Sequence, residues 1–396
     1  MIEIIPFNKK IFDNFSVDTK KITRYVYINN IELIGKLLSM ELPITNRKIA
    51  LRNIFDFLTY VDIKINENEK TIIPISSKVL ISFFNRNEYK KYMEILSELD
   101  IITRVPYQDG TFYIKGNLNC QYRIHNEYLT EEDLAIIVLE DDRSKETFTN
   151  TVENMDKRYI ETIKKLDLNI PSAIEAEIKN YIENDLSISA LRNRISRIFY
   201  TKRKRFIKKG KKVDRIYHSF TNLSKVSRKH FNIQMNDVDI INCQPLLLVA
   251  LLEKNGFEYN NSYKIDCEAG CFYERFLDIN KEIGISNDEQ RTSTKKSLYK
   301  NIFFGFNKNS KHNKRFKELY PQTWNSLELI SENCKSLASQ LQNLESELFN
   351  TLIPSKSKYY FTLFDAIYFD NLLDRFELEN KIKEYFNKFN IRVSIK

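Results

Sequence analysis

Residues 359–369, Tyr-Tyr-Phe-Thr-Leu-Phe-Asp-Ala-Ile-Tyr-Phe, constrain the fold more than any other stretch. They are largely β-favouring, with aromatic and β-branched side chains that fit a pleated surface. Asp365 sits in the middle. A carboxylate inside a buried strand is costly unless it is paired or bound. Two strands that meet at Asp365 remove the conflict, because a tight hairpin leaves the carboxylate at its tip. Val238-Asp239-Ile240-Ile241 repeats the theme as a short apolar run broken by one carboxylate. Asn242-Cys243-Gln244 follows, and Pro245 is expected to open an apolar helix at its first position.

Composition bounds what can surround these strands. The 396 residues correspond to two or three domains. Only 8 Gly and 8 Pro favour helices over a turn-rich all-β fold and exclude a collagen-like or linker-dominated chain. The hydrophobic fraction of 42% is enough for real cores. Lys+Arg outnumber Asp+Glu by 62 to 53, a net charge of +9 that suits a polyanionic partner. The 5 cysteines contain no CxxC pair, so a disulfide framework or zinc site is not expected and a reducing compartment fits. The start, Met1-Ile2-Glu3, has no basic region leading into an apolar run. No apolar stretch is long enough to span a bilayer. The expectation is a cytoplasmic protein without a membrane partner.

Along the chain, no solenoid-length repeat occurs. Residues 30–42 and 46–60 read as helices. Ser76 or Ser77 can cap a short helix through Phe84, and Asn87 a second that carries Tyr89, Met93, Leu96 and Leu99. Residues 101–105 then read as a strand, Asp109-Gly110 as a hairpin turn and residues 120–124 as the return strand. Helix, helix, hairpin resembles a winged helix-turn-helix. That resemblance implies a second helix in a DNA major groove, with Arg86, Lys90, Lys91 and Arg104 near the DNA. A protein-binding or purely structural wing is the alternative. Residues 131–200 are acidic first and then helical. They lead into Lys202, Arg203, Lys204, Arg205, Lys208, Lys209, Lys211 and Lys212, read as a phosphate-tracking loop, or alternatively a solvated linker. Gly210 marks a turn within it.

Between the two aspartates lies a basic stretch. Arg291, Lys295, Tyr299 and Phe303 recur every fourth residue and share one helix face. Cations there can hold a triphosphate and an aromatic ring can stack on a base. Two strand-borne aspartates with such a helix between them point to two-metal phosphoryl transfer.

Residues 205–395 resemble the palm-and-fingers core of family A DNA polymerases, in a minimal form of the phage or mobile-element kind. Single-subunit phage-type RNA polymerases share the motif order. Arg215-Ile216-Tyr217-His218-Ser219, Asn222-Leu223 and Arg228 are similar to the segment that contacts primer–template, with Asp214 in place of a Gly. Asp239 matches the first metal-binding aspartate. Gln244 stands where the DNA polymerases carry a Glu that helps exclude ribonucleotides. Arg291 to Phe303 is similar to the nucleotide-binding helix Arg-x3-Lys-x3-Phe-x3-Tyr-Gly. In that register Phe304 occupies the Gly position and Gly305 comes one later; a register through Lys296, Lys300 and Phe304-Gly305 restores the Gly and loses the Arg. Gly270-Cys271-Phe272-Tyr273-Glu274 and the helix with Gln342 and Glu345-Ser346 resemble flanking segments. Thr362-Leu363-Phe364-Asp365-Ala366 matches the last catalytic hairpin, with Phe364 for a His and Ala366 for a second carboxylate.

The resemblance implies an α+β, mostly helical right hand, with an antiparallel palm sheet and helical fingers and thumb, behind a winged-helix-like N-terminal domain. The expected divisions are 1–130 (helical and winged), 131–205 (thumb-like) and 206–396 (palm and fingers). It implies a DNA polymerase that extends a primer. No Asp-x-Glu strand or α/β nuclease domain is evident N-terminally, so no proofreading is expected. Asp239 and Asp365 would hold two Mg²⁺, or Mn²⁺ in their place. Arg291, Lys295, Tyr299 and Gln244 would bind nucleotide. Arg215, Arg228, Lys202, Arg203, Lys204 and Arg205 would grip a DNA or RNA primer–template. An RNA polymerase or primase-like enzyme is one alternative. A decayed palm kept as a nucleic-acid-binding initiator is another. The sequence carries no heptad seam that would define an oligomer.

Overall fold

The computed structural model describes residues 2–6, 25–30, 35–37, 39–40, 47–68, 71–113, 119–125, 134–139, 147–184, 186–211, 213–280, 287–305, 309–333 and 336–396. The fold is α+β, about 57% helical, with small antiparallel sheets. Among the described residues, no helix is long and apolar enough to cross a membrane. Two compact units interleave along the chain. One comprises Met1–Phe148, Asp167–Arg205 and Asn222–Asn232; the other comprises Thr149–Leu166, Phe206–Thr221 and Ile233–Lys396.

In the first unit, β1 (Ile2–Pro6) and β2 (Tyr25–Asn30) flank β6 (Leu134–Leu139) in the order β1-β6-β2. Residues 25–30 and 134–139 are thus strands in regions read from sequence as helical or acidic. A short apolar run such as Leu-Ala-Ile-Ile-Val-Leu suits a central strand and a buried helix equally, and only the presence of two partners decides. Residues 30–42 lie largely outside the described residues. The long helix Arg47–Asn68 includes residues 47–60 of the expected helix and packs on the helix Ile188–Arg203.

Next come β3 (Ile72–Ile75), the helices Ser77–Phe84 and Tyr89–Glu98, β4 (Ile102–Val105) and β5 (Cys120–Ile124). The strands pair antiparallel in the order β3-β5-β4. Ser76 caps the first helix, its hydroxyl accepting from the Val79 N–H. Asn87 does not cap the second. The Oδ1 of Asn85 accepts from the N–H groups of both Asn87 and Glu88, and Asn85 adopts a positive φ of 64°, which Asn tolerates better than most residues. Phe57, Phe83, Phe84 and Tyr92 pack together beneath these helices. Arg86, Lys90, Lys91 and Arg104 are exposed. A second core feature is Glu177, wholly buried, which pairs with Arg194 at 3.1 Å and accepts from the hydroxyls of Ser224 and Ser227.

The chain passes between the units within β7 (Thr147–Asn150) and β8 (Lys204–Lys209). The basic run is therefore not a loop. It is the end of a helix followed by a strand, in which Arg205 and Ile207 point inward and Lys204 and Lys208 outward with a period of two.

In the second unit, residues 207–209 of β8 pair with β9 (Ile216–His218). The site-bearing sheet is β10 (Asn236–Asp239), β12 (Ala366–Phe369) and β11 (Tyr360–Leu363), antiparallel in the order β10-β12-β11. Behind it, the helix Cys243–Lys254 is buried on every side from Cys243 to Leu252, as an all-apolar helix must be. This helix starts two residues before Pro245, and Asn242 turns the chain with a φ of 55°. Pro is tolerated there because the first-turn N–H groups have no intrahelical acceptor. His218 buttresses β11: its Nε2–H donates to the Thr362 carbonyl at 2.8 Å and its Nδ1 accepts from the Phe220 N–H at 3.3 Å. Tyr159, Phe220 and Phe361 pack edge-on around its ring.

Phe361 is fully buried in that cluster. Phe361→Ala is expected to lower the unfolding free energy of this unit by about 3–5 kcal/mol, the range for a deleted core aromatic. Chemical denaturation followed by circular dichroism measures it.

Candidate active site

The two aspartates come together through strand register. Asp239 ends β10 directly opposite Ala366, and the Ile240 N–H donates to the Asp365 carbonyl at 3.3 Å. Leu363 pairs with Ala366 across a turn of only two residues, Phe364 and Asp365. Asp365 therefore sits at a hairpin tip, as the residue pattern requires. Both carboxylates are partly exposed. Beneath them lies the Cys243 thiol, 2% exposed. Burial pushes this thiol well above its ordinary value; Asp365, Glu345 and Asp239 raise it further and Lys295 opposes them. One buried sulfur thus senses all four charged groups.

Phe364 takes a φ of 54°, a left-handed conformation that is unfavourable for a bulky side chain. The Arg215 guanidinium lies over its ring, 4.7 Å from the centroid. Arg215 also pairs with Glu345 at 2.6 Å. The other oxygen of Glu345 accepts from the Gln244 side-chain amide. Glu345 belongs to the helix Leu337–Phe349 and is 2% exposed. Burial pushes its carboxyl from 4.5 up to about 7; Arg215 lowers it and Asp365 raises it. No role was assigned to Glu345 from sequence. The available signal was its spacing, for it falls on the buried face with Leu341, Leu344 and Leu348.

The basic helix spans Asn287–Leu298. Arg291 and Lys295 both lie over the ring of Tyr273, at 5.3 and 5.8 Å, and Lys295 also lies 5.5 Å from the centroid of Tyr299. The Tyr273 hydroxyl donates to that of Tyr299 at 3.3 Å. Arg291 pairs with Glu274 at 2.6 Å. Tyr273 and Glu274 precede the helix and were not assigned to the site from sequence. Their chain neighbour Arg275 pairs with Asp266, whose carboxyl is raised by burial but held low overall by Arg275 and Tyr320, both donating to it.

At Tyr299 the helix widens into a π turn, Tyr299–Phe303, closed by the Phe304 N–H donating to the Tyr299 carbonyl at 2.8 Å. A π turn accommodates one extra residue. The turn lies where the two registers read from the sequence diverge. Arg291, Lys295 and Tyr299 follow the α spacing, and Phe304-Gly305 runs one position later. A Cβ at Gly305 would stand 2.0 Å from the Lys300 carbonyl oxygen.

Lys202, Arg203, Lys204, Arg205 and Arg228 belong to the first unit. Arg205 is 3% exposed and pairs with Asp167, so it is a buried structural cation and not a surface phosphate ligand. Arg228 donates to the Leu223 carbonyl. Lys204 is exposed. The side chains of Lys202 and Arg203, and all of Lys212, lie outside the described residues.

Asp239 and Asp365 fit Mg²⁺ by donor chemistry. This ion is bound through one or two carboxylates, with substrate phosphates and water completing its shell. Among the described residues, no group of three or more His, Cys, Asp or Glu side chains forms a metal site by itself. Compared with known proteins, the chain matches no family model, no curated protein and no solved structure.

Two outcomes follow. Gly305→Ala forces the π turn to yield and is expected to destabilise the chain by about 1–3 kcal/mol, read by thermal denaturation. Because the folded-state carboxyl of Glu345 is raised, its contribution to stability is complete below about pH 4 and is lost as pH rises through about 7. That contribution is roughly 3 kcal/mol. Relative to the unchanged chain, Glu345→Gln should therefore gain stability between pH 5 and pH 8, measured as the difference in melting temperature.

Proposed function

We propose that the chain is a template-directed nucleotidyltransferase, in its most direct form a DNA polymerase that extends a primer without proofreading. The observation that carries this reading is the register of β10 against β12, which sets Asp239 beside the Asp365 hairpin tip with Lys295 in electrostatic reach. The π turn supports it further. With one extra residue allowed, the run Arg291, Lys295, Tyr299, Phe304-Gly305 follows the order of the family A nucleotide-binding helix.

Asp239 and Asp365 would hold two Mg²⁺, which when bound lower the pKa of a hydroxyl nucleophile and stabilise charge on a leaving pyrophosphate. The primer 3′-hydroxyl oxygen attacks the α-phosphorus, and the bond from that phosphorus to the pyrophosphate oxygen breaks. Arg291 and Lys295 present positive charge to the triphosphate, already oriented by the Tyr273 ring. An incoming triphosphate exchanges with Glu274 as the partner of Arg291. Tyr299 offers an aromatic face to the nascent pair.

The first unit supplies nucleic-acid affinity in this reading. Its element order and β3-β5-β4 sheet support the winged-helix reading, in which the exposed Arg86, Lys90, Lys91 and Arg104 face nucleic acid. Binding through these residues weakens as salt rises, because phosphate contacts release counterions.

A ribonucleotide-using enzyme, RNA polymerase or primase-like, is the second reading. Gln244 favours it: no carboxylate stands at this position, and the buried Oε1 of Gln244 has no hydrogen-bond partner among the described residues. A decayed, binding-only initiator is the third.

Primer extension on a defined template, with deoxy- and ribonucleotides supplied separately, tests all three. Asp239→Ala and Asp365→Ala are each expected to reduce incorporation by about 10²–10³-fold or more while the far-ultraviolet spectrum is kept. Incorporation that survives both substitutions removes the two-metal assignment. Template binding without incorporation under any condition favours the initiator.

A further inference from the structure

The hairpin tip is an awkward piece of backbone. Phe364 is bulky, 37% exposed and left-handed at φ 54°, and Asp365 is its immediate neighbour. What meets Phe364 is the Arg215 guanidinium, and what holds Arg215 is Glu345. Glu345 is itself poorly placed for a charge. It is buried, and the groups that face it are Arg215 ahead of β9, Gln244 and Cys243 on the buried helix, and the carboxylate of Asp365. An anion near another anion, out of water, is unfavourable unless it organises its surroundings.

We propose that Glu345 is a positioning residue: it anchors Arg215 on the Phe364 ring, and this stack holds the hairpin tip so that Asp365 stays beside Asp239. The consequence for turnover rests on the nucleotidyltransferase reading; the coupling of Glu345 to the tip does not. Glu345 acts through Arg215 and touches no reacting atom. Its second oxygen fixes the Gln244 amide by the same means, with the nitrogen toward the carboxylate and the oxygen turned away. One buried carboxylate thus holds both the Arg215 and the Gln244 side chains. Loss of its charge releases the guanidinium, and the tip relaxes.

The coupling has a readout that needs no activity. The chain has one tryptophan, Trp324, which is 2% exposed. In Phe364→Trp, a second indole stands under Arg215, and its emission is obtained by difference. That emission is expected to change between pH 8 and pH 6, and the change should be absent in Phe364→Trp combined with Glu345→Gln. No pH response, or one that persists without Glu345, overturns the proposal. In steady-state extension, Glu345→Gln is expected to lower kcat about 10- to 100-fold, as misplacement of a reacting group by about an ångström does. The KM for nucleotide should change less than about threefold and the melting temperature at pH 8 should not fall. Unchanged kcat, or a loss of kcat that tracks a fall in melting temperature, also overturns it. A titrating indole in a chain that incorporates no nucleotide sinks the nucleotidyltransferase reading and leaves the Glu345 coupling standing.

Discussion

The pairing of β10 with β12 is the constraint on which the second unit depends. A hairpin turn of two residues leaves no slack, so Asp365 has one position once Leu363 and Ala366 are paired. Laying β10 alongside then places Asp239 opposite Ala366. A slip of one residue would turn the Asp239 side chain to the other face of the sheet. The fully buried helix behind β10, and His218 under β11, resist that slip through packing and hydrogen bonding.

Around this sheet, positive charge is held in a particular way. Arg215, Arg291 and Lys295 all lie over aromatic rings, those of Phe364, Tyr273 and Tyr299. An aromatic face orients a cation without neutralising it, and Arg215 and Arg291 are paired in addition with Glu345 and Glu274. The carboxylates show the opposite economy. Glu345 is kept at the expense of stability, in a place where burial and Asp365 both disfavour its charge. Sites of this kind trade folding free energy for a fixed arrangement of charge.

Much of the site's skeleton was legible in the sequence. The hairpin at Asp365, the strand before Gln244, the Ser76 cap and the pair Ile102–Val105 and Cys120–Ile124 all follow from local pattern, because turn chemistry and alternating burial act over a few residues. The failures are equally physical. Asn87 was the expected cap, but Asn85, turned to φ 64° at the end of the preceding helix, accepts from the Asn87 and Glu88 N–H groups instead. The basic run reads as a phosphate-tracking loop until the burial of Arg205 and Ile207 makes it a strand. Residues 134–139 could be helix or strand until two partners are present. The π turn ahead of Gly305 was not legible because sequence spacing assumes an unbroken α-helix.

The residues alone determined that Asp239 and Asp365 are borne by short apolar strands and that Asp365 is at a hairpin tip, since a carboxylate inside a buried strand is costly unless paired or bound and a turn removes the conflict. They also determined that Arg291, Lys295 and Tyr299 share a helix face, since that is a property of a 3.6-residue repeat. Tertiary structure decided which of these meet. It joined strands far apart in the chain by register, and it made Arg205 and Arg228 part of the first unit and the aspartates part of the second. It also brought Glu345 under Arg215 and Gln244. Local pattern reports only which face of its own element a residue lies on, and the partner across that face comes from a distant part of the chain.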